Sequence, residues 1–173
     1  TTVHNWVARD SIPVAALLAL YDRETVLDRV PDDVTLGVRR DQTSVARHFE
    51  VDEAVGTLLG YYAAEGFTRR EEGSFYQTTV CVPDAEVRRR LSETLEASLN
   101  VDAFEENEWK LTVSSRLVAT LVADVLDAGS RAETKRVPEC VLSAPAAVLR
   151  SFLAAYVSGD GSAATDRVEI RAH

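Results

Sequence analysis

Apolar and polar positions alternate with two periods along this chain, and the changes of period mark off its elements. Residues 13–29 place Leu17, Leu18, Tyr21, Val26 and Val30 on one side, predicting a helix that Pro31-Asp-Asp ends. Residues 41–49 predict a short helix. Asp52 stands as N-cap before an apolar helix that Gly66 stops. Residues 67–70 and 74–82 read as a β-hairpin around Glu71-Glu-Gly. Asp84 caps a helix running to residue 99, with Val87, Leu91, Leu95 and Leu99 on its core face. Residues 101–104 and 109–113 predict a second hairpin around Glu105-Glu-Asn. Ser114 or Ser115 then caps a helix that Gly129 stops, and Pro145 opens a last helix at a favoured first-turn position. Val168, Ile170 and Ala172 alternate with Glu169 and Arg171, predicting one strand. The class is α+β: helix, two strands, helix, two strands, helix, then a further helix.

Composition narrows this picture. At 173 residues with 46% apolar content, the chain suffices for a domain with a real core. No apolar run approaches the roughly 18 residues of a membrane span, and no signal-peptide pattern opens the chain, so a cytoplasmic protein is expected. Cys81 and Cys140 are expected to be reduced thiols. His4, His48 and His173 share no metal-ligand spacing, and Trp6 and Trp109 are expected to pack. The net charge of −9 is unusual for a partner of DNA, whose affinity comes largely from Lys and Arg. Yet 28 acidic residues stand against only two lysines, Lys110 and Lys135. That balance resembles proteins of salt-loving archaea, where screening reaches within about 3 Å at 1 M salt and local basic patches outweigh net charge.

A segment near residue 60 returns 95 residues later. Val55-Gly-Thr-Leu-Leu-Gly-Tyr-Tyr-Ala-Ala-Glu65-Gly66 is matched by Arg150-Ser-Phe-Leu-Ala-Ala-Tyr-Val-Ser-Gly-Asp160-Gly161. Gly56, Gly60 and Ala64 form one small-residue stripe at helical spacing; Ala147, Ser151, Ala155 and Gly159 form another. Packed stripe to stripe, such helices approach closely and deliver Glu65 and Asp160 to the same end. Two carboxylates brought together call for a cation or a shared proton. Acids at helix C-termini also oppose the macrodipole, which favours a functional reason for placing them there twice.

These segments resemble the paired signature helices of the LAGLIDADG homing endonucleases, over Leu58 to Gly66 and Leu153 to Gly161. Lys135-Arg-Val-Pro-Glu-Cys-Val-Leu142 resembles the Lys-x-hydrophobic-Pro block of members carried by inteins, here most like those of haloarchaea. The resemblance implies a signature helix followed by a ββαββα unit with an antiparallel, saddle-shaped sheet. Residues 1–50 would be a helical linker segment and 51–173 the endonuclease-like domain, its first half 51–130 and its second signature helix 145–161. With 12 residues after Gly161, the second half is expected to be incomplete. His4-Asn5 is followed by Trp6, so splicing by this chain itself is not expected.

The resemblance further implies a site-specific, Mg²⁺-dependent double-strand DNA endonuclease housed in a host protein. Glu65 and Asp160 would be catalytic metal ligands, with Gly66 and Gly161 beside them. Lys135 would orient water or steady charge on the phosphorane. Strand alternation places Gln77 and Thr79 opposite Val80 and Val82, on the groove-facing side, with Arg69, Arg70 and Lys110 as phosphate contacts. Arg88, Arg89 and Arg90 are expected on a solvated face, paired with Glu86 and Glu93. A non-cleaving DNA-binding module and an inactive intein remnant remain as alternatives, with a monomer expected and a dimer through an open sheet edge as the other possibility.

Overall fold

The computed structural model describes residues 3–38, 41, 43–71, 74–164 and 167–170; side chains are described for these except 4, 70, 71, 74–76 and those after 160. The chain forms two units, Thr1–Val34 and Thr35–His173. The first holds α1 (Val3–Ala8), α2 (Val14–Leu20) and α3 (Arg23–Arg29). The single helix expected over 13–29 is broken at Tyr21, which is extended at φ −136°, ψ 152°. Asp22 starts the next helix instead: its carboxylate accepts from the Thr25 amide and from the Thr25 hydroxyl, each at 2.8 Å.

The second unit opens with a hairpin of β1 (Thr35–Gly37) and β2 (Ser44–Ala46). The helix expected over 41–49 is therefore a loop and a strand. Val45 is buried in the main core, and Asp41 reaches the N-terminus of a later helix, so residues 35–46 belong to the second unit. The boundary falls after residue 34 rather than 50.

Next come α4 (Glu53–Glu65), β3 (Gly66–Glu71), β4 (Ser74–Cys81), α5 (Ala85–Leu99), β5 (Phe104–Asn107), β6 (Lys110–Val113) and α6 (Arg116–Thr120), which runs into a π-turn at Leu121–Val125. The expected caps are present. Asp52 accepts from the Val55 amide at 2.9 Å, Asp84 from Glu86 and Val87, and Ser115 from Val118 at 3.2 Å. The second hairpin starts later than expected, because left-handed Asn100 (φ 57°) ends α5 and fully buried Val101 joins the core. Glu105 and Glu106 thus lie within β5. Trp109 sits in the turn, 55% exposed rather than packed. The four strands form one antiparallel sheet in the order β3-β4-β6-β5.

The described chain continues through α7 (Glu139–Leu142) and α8 (Ala146–Asp160) to a hairpin of β7 (Gly161–Ala164) and β8 (Arg167–Ile170). Its register, Gly161 opposite Ile170, adds a strand to the one expected. Each signature-like helix is thus followed at once by a hairpin. Two cores flank α4. Leu58 and Tyr62 join Val80, Val82, Leu91, Leu95, Leu111 and Val113 between helices and sheet, whereas Val55 and Leu59 join Val141 and Phe152 under α7 and α8. No helix among the described residues is long and apolar enough to cross a membrane.

Candidate functional site

The site begins with the contact of α4 and α8, and glycine makes that contact possible. A Cβ on Gly56 would lie 2.8 Å from the Val148 carbonyl oxygen, and one on Gly60 would lie 2.3 Å from that of Phe152 and 2.8 Å from Ala155 Cβ. One turn onward, a Cβ on Gly159 would lie 2.7 Å from Ala64 Cβ and 3.7 Å from Glu65 Cγ. At the last two crossings one helix carries a methyl and the other carries none. The backbones meet, and the ends bearing Glu65 and Asp160 arrive side by side. Gly66 does not act as a left-handed cap: it is extended at φ −91°, ψ 163° and begins β3. It is glycine for a steric reason, since a Cβ there would strike the Tyr62 ring and backbone at 2.4–2.7 Å.

Lys135 reaches this end from a loop fastened to α4 and β3. Tyr62 donates its hydroxyl to the Gly129 carbonyl at 2.7 Å, and the Thr68 amide donates to Ser130 at 2.9 Å. Gly129 adopts φ +78° and passes so near Thr134 that a Cβ would be 2.2 Å from its carbonyl oxygen. The Thr134 hydroxyl oxygen accepts from the Ser130 and Arg131 amides, tightening the turn. Lys135 Nζ then donates to the Ala64 carbonyl at 3.0 Å, where a cation also suits the negative end of the α4 dipole. Half-burial pushes the Lys135 ammonium below its ordinary range, while the Glu65 and Asp160 carboxylates pull the other way. Glu65, Asp160 and Lys135 are thus brought together. Among the described residues no three His, Cys, Asp or Glu side chains form a metal-holding group.

One face of the four-stranded sheet extends from this end. Val80 and Val82 turn to the core as expected, together with Leu111 and Val113, leaving Phe67, Arg69, Gln77, Thr79, Lys110 and Thr112 on the opposite side. Arg69 and Lys110 lie over the Phe67 ring, 5.5 and 5.9 Å from its centroid. Arg69 also donates to Gln77 Oε1 at 3.1 Å and pairs with Glu106 at 3.5 Å. Thr79 is on the expected face but is fully buried, its hydroxyl 3.0 Å from that of Thr112, so it is not free to meet a base edge. The Arg70 side chain lies outside the described residues. Gly161 is placed only by its backbone, in β7.

Sequence reading missed several residues here. Cys81, a free thiol, lies on the same face where Lys110, Glu65, Lys135 and Glu106 all act on it, and burial pushes its titration up. Arg88 is not on a solvated face: it is buried and donates to the Val82 and Pro83 carbonyls at 2.8 Å and to Glu105 at 3.1 Å. Arg89 makes the expected pairs with Glu86 and Glu93. Asp41, taken for part of a helix, accepts from the Ser115 hydroxyl at 2.9 Å and the Arg116 amide at 2.8 Å. No local pattern signals a cap supplied from 74 residues away.

No family model matches the chain. Over 162 residues, 92% of its length, it is 37% identical to the DNA polymerase II large subunit of Thermococcus kodakarensis. Over 183 aligned positions, 99% of its length, it is 27% identical to the DNA polymerase II large subunit of Haloquadratum walsbyi. A 116-residue stretch, 65% of the chain, is 34% identical to a DNA polymerase of Thermococcus litoralis. The chain spans 9%, 8% and 7% of the lengths of these three relatives, so it is similar to a small segment of proteins named for DNA synthesis.

Proposed function

We propose that this chain is a site-specific double-strand DNA endonuclease domain of the LAGLIDADG type, carried as part of an intein within a DNA polymerase. The observation that carries this reading is the glycine-mediated packing of α4 on α8, which sets Glu65, Asp160 and Lys135 together beside a basic, aromatic sheet face. The relatives lend support of another kind. Proteins with two different polymerase names match over less than a tenth of their length, as expected for an element inserted into different hosts.

The residues fit a hard cation: two carboxylates, with water and phosphate oxygens completing the shell, suit Mg²⁺. When bound, Mg²⁺ would supply charge stabilisation at the scissile phosphate and a more acidic water. The chain's own side chains do the rest. Glu65 and Asp160 hold negative charge at the two helix ends, one for each DNA strand. Lys135, fixed on the Ala64 carbonyl, presents Nζ–H groups toward a phosphate oxygen or the attacking water. Lys110, beside Arg69 on the sheet face, grips a phosphate and sets the register of the duplex on the sheet.

The test is cleavage, in high KCl, of a plasmid carrying the uninterrupted polymerase sequence. Mg²⁺-dependent linearisation by the chain, lost in Glu65→Gln and in Asp160→Asn, is the expected result. Specific retardation without cutting would make it a binding module, and neither retardation nor cutting would make it an inactive remnant.

A further inference from the structure

The second carboxylate of β5 is placed differently from the first. Glu105 pairs across the ladder with Leu111 and Asn107 with Lys110, so Glu106 falls in a bulge between two registered pairs. Successive strand residues point to opposite faces. Glu105 turns to the helix side of the sheet and meets Arg88, whereas Glu106 turns to the opposite face. There Glu106 Oε2 accepts from the Thr112 hydroxyl at 3.2 Å and Oε1 lies 3.5 Å from Arg69. Arg69 stands on β3 and Glu106 on β5, the two outer strands. Their ion pair therefore crosses the face of the sheet, above Thr79 and Thr112, which are fully buried. Both charged groups keep contact with solvent, at 46% and 33% side-chain exposure. A half-exposed ion pair contributes little to stability, and a carboxylate on a face that would meet phosphates lowers affinity for every sequence alike. Such a group has value in discrimination.

Resting on the duplex-binding reading, we propose that Glu106 is a specificity-determining residue which, with Arg69, selects a C·G base pair. In the major groove a C·G pair sets the cytosine N4 amine beside the guanine O6 and N7 acceptors. The Arg69–Glu106 pair presents the complement: a fork of donors beside an acceptor-only carboxylate. Thymine in place of cytosine would turn its O4 acceptor toward Glu106 and be repelled.

The test is enrichment of randomised duplexes on the immobilised chain, followed by titration of single-base variants of the selected site. For the unmodified chain, replacing one C·G pair by T·A is expected to weaken binding about tenfold. In Glu106→Gln, whose amide can both donate and accept, that preference should fall below about threefold, with other positions unchanged. Arg69→Gln should relax preference at the same pair, and melting curves check that both variants remain folded. If Glu106→Gln strengthens or weakens all sequences alike, or leaves the C·G preference intact, the inference is overturned while the duplex-binding reading stands. If the unmodified chain selects no duplex at all, both fall.

Discussion

Leu58 and Leu153 occupy the same position in two helices of like pattern, yet Leu58 is 8% exposed and Leu153 46%. The apolar face of α4 beyond its contact with α8 is covered by the sheet and α5. The described residues give Leu153 on α8 no such cover. Similar sequence thus produced similar helices and a common seam, but the energy each helix gains comes from what lies on its other side. Leu58→Ala should cost about 3 kcal/mol through lost burial and a cavity, whereas Leu153→Ala should cost less than about 0.5 kcal/mol. Urea denaturation of the two variants measures the contrast. Equal costs would mean that both faces are covered alike.

The seam itself is asymmetric in methyl placement. Gly60→Ala drives a Cβ into the Phe152 backbone as well as Ala155, and should cost about 2 kcal/mol; Ala155→Gly in the same chain should recover little. Gly159→Ala meets only the Ala64 methyl at close range and should cost about 1 kcal/mol. Ala64→Gly should relieve that clash, leaving chiefly the propensity cost of the new glycine. Thermal melts of the four single variants and two pairs would show whether backbone or methyl contact sets the approach.

Smaller effects are expected at the supports. Burial raises the Asp41 carboxyl, but amides of Thr43, Leu117 and Arg116 and the Ser115 hydroxyl outweigh it and leave its titration lowered. A lowered acid contributes stability that is present above its unfolded value of 3.8 and lost as pH falls through the folded value. Asp41→Asn should therefore cost about 1 kcal/mol at pH 7, and the two chains should converge in acid. For Lys135 the slope with pH has the same sign, but the contribution is a cost rather than a gain. Its charged form is disfavoured on folding, so this contribution improves as pH rises from the folded value toward 10.5. Glu65→Gln removes one opposing carboxylate and should lower the Lys135 titration further. With only two lysines in the chain, isotope-labelled lysine NMR reads this directly.

The seam was legible in the sequence because it is written in local spacing. Gly56, Gly60 and Gly159 announce a close approach wherever they recur at helical intervals, and Asp52, Asp84 and Ser115 announce their caps. The parity of β4 was also legible, since Val80 and Val82 alternate. What escaped depends on partners distant in the chain. Asp41 has no meaning until β2 brings it to Ser115, and Thr79 faces the groove side yet is covered by its neighbours. The Arg88 guanidinium reads as a surface charge until the Val82 and Pro83 carbonyls and Glu105 surround it. Glu105 and Glu106, adjacent and chemically identical, point to opposite faces as strand neighbours do, and only the fold shows that one meets Arg88 and the other Arg69.

Whether Glu65 and Asp160 serve one site can be measured without any cleavage, by Mn²⁺ binding followed through water-proton relaxation. The unmodified chain, Glu65→Gln, Asp160→Asn and the double variant would be compared. If the packed helices bring both acids to one cation, each single change should weaken binding at least about tenfold, and the double change should add far less than the sum of the two. Losses that simply add, or Mn²⁺ binding indifferent to either acid, would contradict a shared site at the α4–α8 end.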